Sequence, residues 1–147
     1  MPVIHAELRQ GNLLEHTSEW ERFNWKKHNR MAMTFEAGVH SGSTSSYRIF
    51  SNKKNDLRFT KKIKVYAGRY YRFSAKVKTE AVKGDIGANL SVYGTYNHSQ
   101  RTLTGDNDWT PVDQVFRALN NDEVEFALRL DYWNAPATGT AWFDDVR

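Results

Sequence analysis

Val65-Tyr66-Ala67-Gly68-Arg69-Tyr70-Tyr71-Arg72-Phe73-Ser74-Ala75-Lys76-Val77-Lys78 is the stretch on which the fold turns. From Tyr70 onward the side chains alternate with period two. Tyr71, Phe73, Ala75 and Val77 fall on one side, and Tyr70, Arg72, Ser74 and Lys76 on the other, as in a half-buried strand. Ala67-Gly68 in front of it supplies a turn. Upstream, residues 57–66 repeat the pattern, with Leu57, Phe59, Ile63 and Val65 inward and Arg58, Thr60, Lys62 and Lys64 outward. Downstream, Ala88, Leu90 and Val92 point inside while Asn89, Ser91 and Tyr93 point outside. Phe126, Leu128 and Leu130 do the same, leaving Arg129 and Asp131 on the polar face.

Between these runs lie turn signals at Lys83-Gly84-Asp85, Gly105-Asp106-Asn107-Asp108, Asn120-Asn121-Asp122 and Thr138-Gly139. Helical periodicity is scarce; residues 29–37 alone have room for a turn of helix. Many half-buried strands joined by short turns predict an all-β chain, built as an antiparallel sandwich or closed barrel. No internal repeat, linker or low-complexity tract divides the 147 residues, so residues 1–147 read as one domain.

Composition narrows the class. A hydrophobic fraction of 39% and a charged fraction of 26% suit a packed domain, and no apolar run approaches the roughly 18 residues of a membrane span. The chain has no cysteine, which removes disulfides, thiolate nucleophiles and Cys-ligated zinc together. Residues 1–10 lack the features of a secretory signal, so an export signal for the parent protein would lie outside this chain. Trp142 to Arg147 still read as a strand, which predicts a piece of something larger. The net charge of +4, from 21 Lys+Arg against 17 Asp+Glu, favours an anionic partner over a cationic one.

Four stretches, in order, resemble the jelly-roll carbohydrate-binding modules of families 4, 9, 16 and 22. Gly11-Asn12-Leu13-Leu14 with Trp20 and Trp25 is similar to their opening, and His40-Ser41-Gly42-Ser43-Thr44-Ser45 to a turn leading into a strand. Residues 65–78 are close to a central strand motif. Asp108-Trp109-Thr110 with Phe116, then Gly139-Thr140-Ala141-Trp142-Phe143-Asp144-Asp145-Val146, match the closing motifs. The family's Asn-Pro-Gly-Phe-Glu is replaced by Glu15-His16-Thr17-Ser18-Glu19-Trp20-Glu21, a departure at its glutamate.

The resemblance implies a two-sheet antiparallel jelly roll that binds a poly- or oligosaccharide without catalysis. It also implies an extracellular or cell-surface location, with neighbouring domains in the parent chain. The alternative is a structural or protein-interaction sandwich of a cell-envelope or phage-tail protein with no sugar site.

Sugar recognition needs a flat apolar surface for C–H faces and in-plane donors and acceptors for hydroxyls. The outward face offers Asn89, Ser91 and Tyr93 beside Arg129 and Asp131, with Tyr132 and Trp133 at its rim. The resemblance implies that these strands line a concave groove, that an aromatic near Tyr132 stacks on the ligand, and that Trp25 or Trp20 forms the opposing wall. It further implies a structural calcium ion joining the opening loop, the Ser41 turn and the closing aspartates. Strand parity places Asp144 beside Trp142 and Val146, read here as inward, which makes Asp144 a better ligand than Asp145. Glu19 or Glu21 would add the second carboxylate.

Catalysis has less support. Asp131 with Asp85, Glu80 or Asp113 has the residue types for glycoside hydrolysis, but nothing in the sequence pairs them across a cleft. The five histidines show no metal-ligand spacing, and phosphate-binding glycine loops and nucleophile elbows are lacking. Lys62 and Lys64 alternate along one strand as a solvated, edge-protecting face does, which argues against nucleic acid as the partner.

Overall fold

The computed structural model describes residues 20–24, 31–37, 45–55, 57–92, 97–120, 122–131 and 137–147. Ten strands occur among them: β1 (Glu21–Asn24), β2 (Met31–Ala37), β3 (Ser45–Asn55), β4 (Leu57–Val65), β5 (Tyr70–Lys83), β6 (Asn89–Val92), β7 (Asn97–His98), β8 (Gly105–Arg117), β9 (Asp122–Arg129) and β10 (Ala137–Asp144). Every pairing is antiparallel. The first sheet has the order β1-β4-β9-β6-β7 and the second β2-β3-β10-β5-β8. From β3 onward the chain passes repeatedly between the sheets, and the result is a two-sheet jelly roll, as the sequence predicts.

The central prediction holds in detail for β5. Phe73, Ala75 and Val77 are buried in the core, whereas Arg72 and Lys76 between them are exposed. Phe59 and Leu128 from the first sheet meet Phe73, Val77 and Phe143 from the second. Phe73 lies 4.7 Å from the Phe126 ring centroid, and Tyr71 stacks on Phe116 at 5.6 Å. Interlocked rings of this kind bury large apolar area, and truncating one to alanine costs about 3–5 kcal/mol.

Residues 31–37 depart from the helical turn expected within residues 29–37. Met31–Ala37 pairs along its whole length with β3, from Met31 opposite Ser51 to Ala37 opposite Ser45. Alanine and methionine favour helix only by tenths of a kcal/mol per residue, roughly, and a continuous ladder outweighs that preference.

The Thr138-Gly139 turn signal proves to be a bulge inside β10. Registers slip between Thr138 and Thr140 and, opposite, between Thr79 and Val82. Gly139 has φ +117, and a Cβ there would lie 2.6 Å from the Ala81 carbonyl oxygen, so only glycine fits. Ala81 itself takes φ 52, and its N–H donates to Asp106 Oδ1 at 2.7 Å. Pro111 sits in β8, an edge strand, where a missing donor is tolerated.

Candidate functional site

Register decides which side chains share the outer face of the first sheet. Phe23 opposes Arg58, Arg58 opposes Arg129, and Arg129 opposes Asn89, giving one row across four strands. The next row is Glu21, Thr60, Ala127 and Ser91. Since Phe59, Leu90 and Leu128 enter the core between them, both rows face away from it.

The row ends in a hydrogen-bonded knot. Asp131 Oδ2 accepts the Leu57 N–H at 2.6 Å, and Oδ1 lies 3.4 Å from Arg129 Nη2. Asn89 Nδ2 donates to the Asp131 carbonyl at 2.7 Å and to the Gly87 carbonyl at 3.0 Å. Its Oδ1, also buried, accepts nothing. At the other end of the row the Arg58 guanidinium stands 4.1 Å from the Phe23 ring centroid, and Phe23 is 39% exposed.

Parity therefore groups Asn89, Ser91, Arg129 and Asp131 on one face as expected, but their exposure does not follow. Asn89 and Asp131 are 0% exposed and Arg129 5%; Ser91, Thr60 and Ala127 are buried with them. The expectation of an open polar face is corrected. Burial is tolerated here because the ions pair and the carboxylate accepts the first N–H of β4, that of Leu57.

Trp20 is corrected too. It is 6% exposed and sits between the sheets, stacked on Phe73 at 6.4 Å and 5.9 Å from Tyr47. An indole filling the core cannot serve as a groove wall. Trp25, Tyr93, Tyr132 and Trp133 lie outside the described residues, as do Glu19 and Ser41.

Trp142 and Asp144 share a face as predicted, but it is the outer one, and Val146, past the turn at Asp145, packs against the core instead. Ala141 and Phe143 enter the core, so Trp142 and Asp144 project from the outer side of the second sheet. Trp142 is buried there nonetheless, with Lys78 Nζ 5.9 Å from its ring. Asp144 is buried as well. One residue beyond the Phe143–Tyr47 rung, on this same side, Ser46 has a buried hydroxyl without a hydrogen-bond partner.

Asp145 turns away at φ 50, and its carboxylate accepts Arg147 Nε at 2.8 Å. Glu21 lies on the outer face of the first sheet, across the sandwich from Asp144, so the expected pairing of those two carboxylates fails. Among the described residues no three His, Asp or Glu side chains gather. Nor do the carboxylates weighed for hydrolysis converge. Asp131 is sealed in the first sheet, whereas Asp113 on the second pairs with Arg72 at 2.9 Å.

The lysine face of β4 also resolves. Lys62 and Lys64 are exposed, and they stand directly opposite Glu125 and Glu123 of β9. Arg58 and Phe23, which complete the row of Arg129 and Asn89, escape sequence reading because only the β1–β4 register brings them there.

No protein-family model matches this sequence, and no curated protein is recognisably similar to it. Solved structures do match. The chain is similar to part of the CBM22-1–GH10 modules of Clostridium thermocellum N-terminal endo-1,4-beta-D-xylanase 10B, complexed with xylohexaose. That match has a TM-score of 0.57 and 15% identity, over 85% of this chain and 25% of that one. It is similar to a family 4 carbohydrate-binding module with a TM-score of 0.55 and 17% identity, over 86% of this chain and 84% of that one. The enzymatically active domain of bacteriophage CBA120 tailspike protein 4 also matches, at 0.57 and 12%, over 91% of this chain and 20% of that one. This chain thus spans a quarter or less of the xylanase and tailspike chains. In architecture it is a jelly-roll sandwich of the kind that carbohydrate-binding modules use.

Proposed function

We propose that this domain is a non-catalytic carbohydrate-binding module, gripping a poly- or oligosaccharide at the exposed Phe23–Arg58 end of the outer face of its first sheet and carrying a larger exported or surface protein to it. The observation that carries this reading is the exposed Phe23 ring with the Arg58 guanidinium 4.1 Å from its centroid, at the open end of the row that buries Arg129, Asn89 and Asp131. A buried Arg–Asp pair outside the core adds little stability, because desolvation offsets most of the attraction. A ring face with guanidinium donors beside it suits C–H stacking and in-plane hydroxyl recognition instead. Tyr132 and Trp133 follow Asp131 in the chain, and Tyr93 follows Val92. They are the candidate stacking platforms. The likeness to a xylanase chain solved with xylohexaose and to a family 4 carbohydrate-binding module supports the reading at the level of fold.

Affinity-gel electrophoresis in neutral polysaccharides tests it. Wild type should be retarded by at least one glycan, and Trp133→Ala should lose that retardation while keeping its unfolding midpoint. Mobility unchanged throughout a panel of xylans, glucans and galactans would leave the structural sandwich as the better account.

Calcium belongs to the same proposal. Asp144 and the orphaned Ser46 hydroxyl supply oxygens on one face, the chemistry a hard cation needs, although a complete cage requires ligands beyond them. A chelator should lower the melting temperature of the domain by several degrees, and calcium should restore it. Identical melting in chelator and in millimolar calcium would dismiss the ion.

A further inference from the structure

The second sheet carries a surface that the proposed sugar face does not use. Along the outer side of β5 and β8, Tyr70 stands opposite Arg117, Arg72 opposite Val115, and Lys76 opposite Pro111. Tyr70 is 73% exposed. The strip deepens into an open groove of about 440 Å³ lined by Ser74, Lys76, Gln100, Arg101, Pro111 and Asp145 among others. Arg101 is held at its edge, with Nη1 donating to the Pro111 carbonyl at 3.0 Å.

Charge on this strip is unbalanced. Asp113 is committed to Arg72 at 2.9 Å and Asp145 to Arg147 at 2.8 Å. Lys76, Arg101 and Arg117 make no carboxylate contact among the described residues. On β4, by contrast, each exposed lysine faces a glutamate. Three cations without a carboxylate partner among the described residues therefore share this strip with an exposed aromatic ring. From Tyr70 to Lys76 the strip is roughly 20 Å long at the rise of an extended strand, enough for several sugar rings.

We propose that the outer face of β5 and β8 is a second binding surface, specific for a carboxylate-bearing polysaccharide such as a polyuronate. Lys76, Arg101 and Arg117 meet successive carboxylates, Tyr70 stacks on a ring, and the Arg72–Asp113 pair presents a donor and an acceptor to hydroxyls. That mixed pair favours a glycan over a nucleic acid strand. A phosphodiester backbone offers acceptors only, and single-strand binders string several stacking rings along a groove. This site does not depend on the first-sheet reading.

Calorimetric titration with a short oligogalacturonate, and with the same oligomer methyl-esterified, provides the test. The acid form should bind and weaken as salt is raised, and the ester should not bind. Lys76→Glu with Arg117→Glu should cut affinity about tenfold or more. Tyr70→Ala should weaken binding to a lesser degree, with every variant melting as wild type does. Retardation by neutral glycans should persist in the charge-reversed variant, so the two sites fail separately. The proposal is overturned if the acid form does not bind, if the ester binds equally well, if charge reversal changes nothing, or if oligo-dT binds more tightly than oligogalacturonate.

Discussion

The outer face of the first sheet has two ends built from the same two strands. At one end of β4 and β9, Arg58 and Arg129 lie in register, and Asp131 and Asn89 are sealed with Arg129 into a hydrogen-bonded knot. At the other end, Lys62 and Lys64 face Glu125 and Glu123, and both lysines are exposed. The two ends have similar residue types and equal opportunity for ion pairing. What separates them is water. In the knot a lost partner strands a buried group, whereas on the ladder solvent replaces it at almost no cost.

That contrast sets an order of effects. Asp131→Ala should be the most damaging change, destabilising by about 3–5 kcal/mol in urea denaturation, since it orphans the Leu57 N–H and removes the carboxylate beside Arg129. A loss below 1 kcal/mol, roughly, would mean the knot is solvated after all. Asn89→Ala should come next, at about 1–3 kcal/mol, through the Gly87 and Asp131 carbonyls left without their donor. The ladder sharpens the comparison from the other side. Lys62→Ala and Lys64→Ala should each shift stability by no more than about 0.5 kcal/mol, and added salt should shrink even that. If a ladder variant rivals Asn89→Ala, burial is not what distinguishes the two ends.

How much of this was legible beforehand follows the same line. Period-two alternation in residues 70–77 locates β5 and its buried face, because alternation is the geometry of the strand itself. The same rule puts Asn89, Ser91, Arg129 and Asp131 together. It says nothing about what lies over them, so their burial was not foreseeable. Exposure is a tertiary property, and a polar face can be covered wherever its groups find partners. In β10 the rule fails differently. Ala141, Trp142 and Phe143 are apolar on both sides, so parity pairs Trp142 with Asp144 but cannot say which side is the core. Trp20 stands before β1 and outside any alternating run, which leaves its place between Tyr47 and Phe73 unmarked in the sequence. The β5–β8 strip was readable as an outward face, yet Gln100 and Arg101 join it only through the path of the chain between β7 and β8.

Amide chemical-shift mapping with a neutral oligosaccharide that retards the protein tests the central claim most directly. The largest shifts are predicted to fall on Arg22, Phe23 and Arg58, with β5 and β8 quiet. Saturable shifts that leave those three amides unmoved would contradict it.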